Sequence, residues 1–244
     1  MSELIKTKGI VLHEMTIKDH DKRIILFSKE FGKMVVFANG AKRAKSPLLA
    51  GTQPFVFGEF SVYESRNSYT LRQVVIEESF YELRNDMVRL TYGLYLLEVV
   101  NSVIQEMDPN TELLRLLYIS LFNLKAEAHP GKVITTVFQF RSMNMLGFAP
   151  DLSGCMECGD TKGPFTLTTK GGLVCNNCPR YKEKPMSMEA LHVLGYIQQA
   201  PLTKLYHFKM DEELFGEIEK QVQDYFSNFV TGDFKSLDIL SALE

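Results

Sequence analysis

KRIILFSKEFGKMVVFANG, residues 22–40, decides how the first third of the chain is built. Two short runs, rich in β-branched and aromatic residues, are punctuated by Gly32 and Gly40, and such runs read as β-strands. The pattern extends to both sides. IKTKGIVLHEM (5–15) precedes it, and FVFGEFSVYES (55–65) and SYTLRQVVIEE (68–78) follow, with Gly58 and Asn67-Ser68 as further breaks. Five strands in this length predict a small antiparallel β-barrel over residues 1–79. The OB fold leads, and SH3-like barrels share the same period.

From Phe80 the period becomes helical, so residues 80–244 are expected to form a helical domain. In 81–107, Leu83, Met87, Leu90, Leu94, Leu97 and Ile104 keep heptad-like spacing. Tyr92, Tyr95, Val99 and Val103 add apolar bulk on other faces, which predicts a helix buried on most sides. Asp108-Pro109 ends it and opens a second helix through 113–128. His129-Pro130-Gly131 breaks the chain before 132–147. Two later helices are expected at 187–200 and 211–230, the last with a stripe of Phe215, Ile218, Val222, Phe226 and Phe229.

All 4 cysteines fall in residues 155–178, as the pairs Cys155/Cys158 and Cys175/Cys178 with 16 residues between them. Paired CxxC motifs at this separation read as a zinc site. Phe165 to Thr169 alternates as a strand, Leu173-Val174 begins its return, and Gly171-Gly172 suits a two-residue hairpin loop. The expectation is a zinc-ribbon-like element at about 151–182, inserted in the helical domain and holding one structural Zn2+ per chain. Four thiolates fill a tetrahedron and leave no position for water. The five histidines are scattered and form no HExxH.

Charged residues mix with apolar ones in MSELIKTKGI, and the apolar run at 90–104 is too short for a bilayer. A cytoplasmic protein without a membrane partner is expected, in a compartment where thiols stay reduced.

Charge is uneven. Residues 1–75 carry 12 Lys or Arg against 7 Asp or Glu, a balance of +5; the chain as a whole is −3, which leaves −8 for the rest. The densest cluster is GAKRAKSP (40–47), with Lys42, Arg43 and Lys45. A solvated loop with nothing bound is the plain alternative. Lys6, Lys8, Lys22, Arg23, Lys33, Arg66 and Arg72 share the same small domain, and Tyr63 and Tyr69 are its candidate stacking rings. A basic barrel with available aromatics fits single-stranded nucleic acid, where charge follows the backbone and rings stack bases. An RNA-binding, translation-associated OB protein shares these features, and a zinc enzyme is a further rival.

KGIVL, LFSKEFGK and ANGAKRAKSPLLAGTQPF, followed by a helical region interrupted by CxxC…CxxC, resemble the RecO family of bacterial DNA-repair proteins over essentially the whole chain. The resemblance implies an amino-terminal OB domain, a helical domain and a zinc element. It implies binding of single- and double-stranded DNA and annealing of complementary strands, in the cytoplasm with the nucleoid; the sequence holds no GxxxxGK(S/T) and no GxSxG, so a non-enzymatic protein is expected. It further implies work with RecR to load RecA onto DNA covered by single-stranded-DNA-binding protein (SSB), whose acidic C-terminal tail docks on the helical domain. Arg115, Lys125, Lys132 and Arg141 are the candidate partner-binding cations there.

Overall fold

In the computed structural model the described residues are 3–65, 68–178 and 185–243. Strands β1 (Glu3–Thr16), β2 (Lys22–Ser28), β3 (Gly32–Ala38), β4 (Phe57–Ser65) and β5 (Ser68–Glu78) close into a barrel in the order β1-β2-β3-β5-β4. β3 and β5 run parallel, and the remaining neighbours are antiparallel. This is the OB arrangement, and it disposes of the SH3-like alternative.

The strands form because their apolar positions alternate. In β3, Met34, Val36 and Ala38 are buried, while Lys33, Val35 and Phe37 are half-buried on the outer face. Val11, Ile24, Leu26, Phe60, Val62 and Leu71 complete the interior. A bulge between Val11 and His13 lets the long β1 pair with both β2 and β4. Residues 39–56 cross one end of the barrel in successive turns, pinned by buried Ala41, Leu48, Phe55 and Val56.

Three α-helices belong to the same compact unit as the barrel: α1 (Met87–Val103), α2 (Thr111–Lys125) and, after the second unit, α6 (Lys235–Leu243). α1 starts later than its periodicity predicts. A 3-10 turn occupies Tyr81–Asn85, and Asp86 caps the helix by accepting from Arg89 N–H at 2.8 Å. Thr91, Tyr92, Gly93, Tyr95, Leu96, Leu97, Val99 and Val100 are buried, so the helix is covered on most sides as expected, whereas Met87 at its start is exposed. Asn110, and not Asp108-Pro109, caps α2 by accepting from Leu113 N–H at 2.9 Å. α6 carries no clear sequence signal. It is held on α1 by Glu98, which accepts from Ser236 N–H and Oγ–H, and by Tyr95 edge-on to Phe234. Gly32 sits at φ +64°, and a Cβ there would lie 2.4 Å from Asp108 O; the β2–β3 turn therefore closes tightly on the chain leaving α1.

The second unit, Ala126–Asp233, contains α3 (Gly131–Met145), a three-stranded sheet, α4 (Met188–Gln199) and α5 (Glu212–Phe226). The sheet is β6 (Asp151–Cys155), β7 (Phe165–Thr168) and β8 (Gly172–Cys175), ordered β6-β8-β7. α5 buries Phe215, Ile218, Val222 and Phe226 as its stripe requires. Phe229 lies past the helix end and stacks on Phe148 at 4.9 Å. Compactness thus divides the chain after Lys125 and before Phe234, whereas the change from strand to helix falls at Glu78–Tyr81. Among the described residues, no helix is long and apolar enough to cross a membrane.

Candidate metal centre and nucleic-acid interface

β6 and β8 run parallel and end on Cys155 and Cys175. Each strand end turns back on itself. Gly159 N–H donates to Cys155 O at 2.8 Å, and Cys178 N–H to Cys175 O at 3.1 Å. These two turns bring Cys158 and Cys178 beside their partners. The β7–β8 loop has three residues, 169–171, and only Gly171 takes positive φ (+94°); Gly172 already pairs with Thr168 as a strand residue. The expected two-residue loop is therefore replaced by a three-residue one with glycine at its left-handed position.

All four sulfurs lie within 4.8 Å of one another, with Cys155–Cys178 and Cys175–Cys178 at 3.8 Å and Cys158–Cys175 at 3.5 Å. A tetrahedral zinc with Zn–S near 2.3 Å sets sulfurs about 3.8 Å apart, so the spacing fits a site of four thiolate ligands. It is far from the S–S bond of about 2.05 Å, and all four cysteines are free thiols. Burial would raise the Cys155 thiol, but backbone N–H groups of Cys175, Cys158 and Glu157 bring it down to about 6. Cys178 is pushed up to about 12 by burial and by the neighbouring sulfurs. Four thiolates so close repel one another, and a cation at their centre is what allows all of them to ionise.

On the barrel, period-2 alternation sorts the candidate residues. Arg23 pairs with Phe37, Phe37 with Thr70, and Thr70 with Tyr63, which makes one row across β2, β3, β5 and β4. Arg23 and Phe37 are half-buried and Tyr63 is exposed, so the row faces outward. Arg72, two residues beyond Thr70, is exposed as well. Lys42, Arg43 and Lys45 are exposed in the loop that follows β3, and among the described residues no acid pairs with them.

The other candidates go elsewhere. Lys22 has the parity of Ile24 and Leu26: it is 7% exposed and ion-paired with Glu14, which corrects its expected place on the surface. Tyr69 likewise turns inward against the barrel core and donates its hydroxyl to Glu64. Lys6 and Lys8 pair with Glu59 (3.2 Å) and Glu77 (2.7 Å), and Lys33 donates to Asn101 O at 2.8 Å. Arg66 lies outside the described residues. Phe37 is the ring that sequence reading missed, although its parity with Lys33 and Val35 was available.

The helical candidates do not converge. Lys125 bridges Glu78 (2.8 Å) and Glu82 (3.1 Å), and Arg141 donates to the carbonyls of Ile197 and Gln198. Lys132 lies over the Phe215 ring, 5.4 Å from its centroid. Arg115, ion-paired with Glu112, borders a groove of about 290 Å³ whose wall includes Phe57, Leu114, Tyr118 and Ile119, with Lys8 and Lys29 also at the rim. Phe57 and Tyr118 pack with ring centroids 4.9 Å apart.

Residues 1–80 match the family model for the N terminal of Recombination protein O, and residues 84–238 match that for its C terminal. A DNA repair protein RecO from Acetivibrio thermocellus is 33% identical, covering 98% of this chain and 97% of the relative. One from Alkaliphilus metalliredigens is 34% identical over 97% and 98%, and one from Listeria monocytogenes 29% over 98% and 94%. With both halves matched in chain order, and relatives covered nearly end to end, this chain belongs to the RecO family of DNA repair proteins.

Proposed function

We propose that the protein is a non-enzymatic recombination mediator. It binds single- and double-stranded DNA, anneals complementary strands and, with RecR, helps load RecA onto SSB-coated single strands at the nucleoid. The observation that carries this reading is the loop with Lys42, Arg43 and Lys45, exposed and without acidic partners among the described residues, on an OB barrel. Cations there screen phosphate repulsion between two approaching strands and release counterions. The outward row supplies Arg23 for phosphate and Tyr63 and Phe37 for stacking against bases. No covalent bond is made or broken in annealing, so these contacts suffice for the task.

Cys155, Cys158, Cys175 and Cys178 hold one zinc per chain in this reading. Bound zinc supplies a fixed cross-link between the two cysteine turns and no open coordination position.

The groove bordered by Arg115 is the place proposed for the SSB tail. An acidic peptide that ends in an apolar residue matches an apolar floor of Phe57, Leu114 and Tyr118 rimmed by Lys8, Lys29 and Arg115. Lys125, Lys132 and Arg141 are left out because they do not line this groove.

The test is annealing of complementary oligonucleotides by the full chain, bare and SSB-coated, without nucleotide. Acceleration in both cases is expected. Failure on bare strands, or a clear preference for matched RNA over DNA, would replace this reading with the RNA-binding one.

A further inference from the structure

We propose that the four-cysteine site is also a modification site for hydroperoxides, at which Cys158 is the reacting thiolate and Cys175 the sulfur that closes a disulfide with it. The inference rests on the reading of this site as zinc-holding and names which two of its ligands are lost together.

The four sulfurs are unequally protected. Cys155 and Cys175, at the ends of β6 and β8, are 3% and 2% exposed, Cys178 is half-buried, and Cys158 is exposed. The turn that carries Cys158 is open as well. Met156, Glu157 and Gly159 are all exposed, and a Cβ on Gly159 would meet nothing within 4 Å. Cys155 is further engaged inside the sheet, where its sulfur accepts from Cys175 N–H at 3.3 Å. An oxidant arriving from solvent therefore meets Cys158 with the least obstruction. Hydrogen peroxide is small and uncharged, so the carboxylate of Glu157 does not bar it. Cys175 Sγ lies 3.5 Å from Cys158 Sγ, closer than Cys178 comes to either Cys155 or Cys175, at 3.8 Å. An exposed thiolate with a second sulfur poised beside it is the arrangement that oxidation to a disulfide requires.

The chemistry balances with peroxide as the oxidant. The Cys158 thiolate attacks one peroxide oxygen, the O–O bond breaks, hydroxide leaves and a sulfenic acid forms. The Cys175 thiolate then attacks the Cys158 sulfur, an S–S bond forms and a second hydroxide leaves. The two sulfurs give up two electrons, and peroxide takes them. Cys155 and Cys178 remain as thiolates, two ligands where a structural zinc site needs four, too few to hold the ion. The new bond joins the same two turns, so β6 and β8 stay tied after the metal has gone. Cellular thiols reverse the step by exchange at the exposed Cys158 sulfur.

The zinc-loaded full chain, its metal content established first, is treated with hydrogen peroxide beside a colorimetric zinc chelator, alkylated with N-ethylmaleimide and digested without reduction. One zinc should be released per disulfide formed. Mass spectrometry should find Cys158 linked to Cys175, with Cys155 and Cys178 alkylated, and dithiothreitol with added zinc should restore the starting state. Met107, 70% exposed, reports that oxidant has reached the protein. Zinc retained while Met107 turns to the sulfoxide would overturn the proposal, and so would any other disulfide pairing. Amide exchange gives a second readout. β6 to β8 should keep more protection in the oxidised protein than in reduced protein stripped by chelator, and equal loss would overturn the retained tie. A chain that is metal-free before peroxide is added removes the zinc reading and this one with it, which keeps the two failures apart.

Discussion

Cys158 and Cys175 are separated by 17 positions in sequence, yet their sulfurs lie 3.5 Å apart. Nothing apolar in the two turns explains that approach, since Cys158, Gly159, Asn176 and Asn177 are exposed. The spacing is that of a site able to hold a shared metal ion. Cys175→Ser should abolish binding of the one zinc and loosen residues 151–178, because metal-binding free energy there is folding free energy. Amide exchange should show lost protection in β6 to β8 and unchanged protection in β1 to β5. Protein purified without chelator and found metal-free by elemental analysis would sink the assignment.

The basic loop should be thermodynamically dispensable and functionally necessary. Its burial resides in Ala41 and Leu48, not in the three cations. Replacing Lys42, Arg43 and Lys45 by alanine should leave thermal unfolding within about 0.5 kcal/mol of the parent. The salt slope for single-stranded DNA should flatten by up to about 2, at roughly 0.7 per phosphate contact. Loss should be similar across DNA sequences, since no base edge is read.

Lys125 and Glu78 make a pH-dependent contribution whose sign can be worked out. Burial would raise the Glu78 carboxyl, but Lys125 and the N–H groups of Phe80 and Ser79 outweigh it and hold it below the usual range. The hydrogen bond to Glu78 raises Lys125 against a smaller effect of burial, with Glu82 adding to the rise. Glu78 thus stabilises the fold above its unfolded value of about 4.3, and loses that effect as pH falls through its lower folded value. Lys125 stabilises below about 10.4 and loses its effect as pH rises through its higher folded value. Lys125→Met should cost up to about 1 kcal/mol at neutral pH. Melting curves of parent and variant should converge in acid; a gap independent of pH would contradict the pairing.

Gly32→Ala should be far more damaging than its size implies. It forces a side chain into the left-handed region and places a Cβ against Asp108 O, where nothing flexible can yield. A loss above about 2 kcal/mol is expected by denaturant unfolding. No measurable loss would show that the turn has room.

Charge reversal at the groove should separate partner binding from DNA binding. Arg115→Glu with Tyr118→Ala removes a rim cation and part of the apolar floor. Affinity for an acidic peptide ending in an apolar residue should fall at least tenfold, while oligo(dT) affinity stays near that of the parent. Peptide binding that persists would place the tail elsewhere.

Much of this was legible in the sequence because it depends on local period or on spacing. The alternation in 22–40 is a strand property whatever surrounds it, and two CxxC pairs with a hairpin between them fold toward one point. The α5 stripe was equally direct. α6 was not legible, since nine residues give little more than two turns and its hold on Glu98 and Tyr95 is tertiary.

Adjacent residues in a strand face opposite ways, and that much the sequence determined for Lys22 and Arg23 and for Tyr69 and Thr70. Which of each pair faces water was decided only when the barrel closed. Closure sent Lys22 to Glu14 and Tyr69 to the core, and left Arg23, Phe37 and Tyr63 in one outward row. The cysteine ligands needed no such decision, because a metal's preference is encoded in residue type and short-range spacing. A nucleic-acid surface depends on which side chains share a face. Which outward side chains share a face was set here by register between strands far apart in the chain.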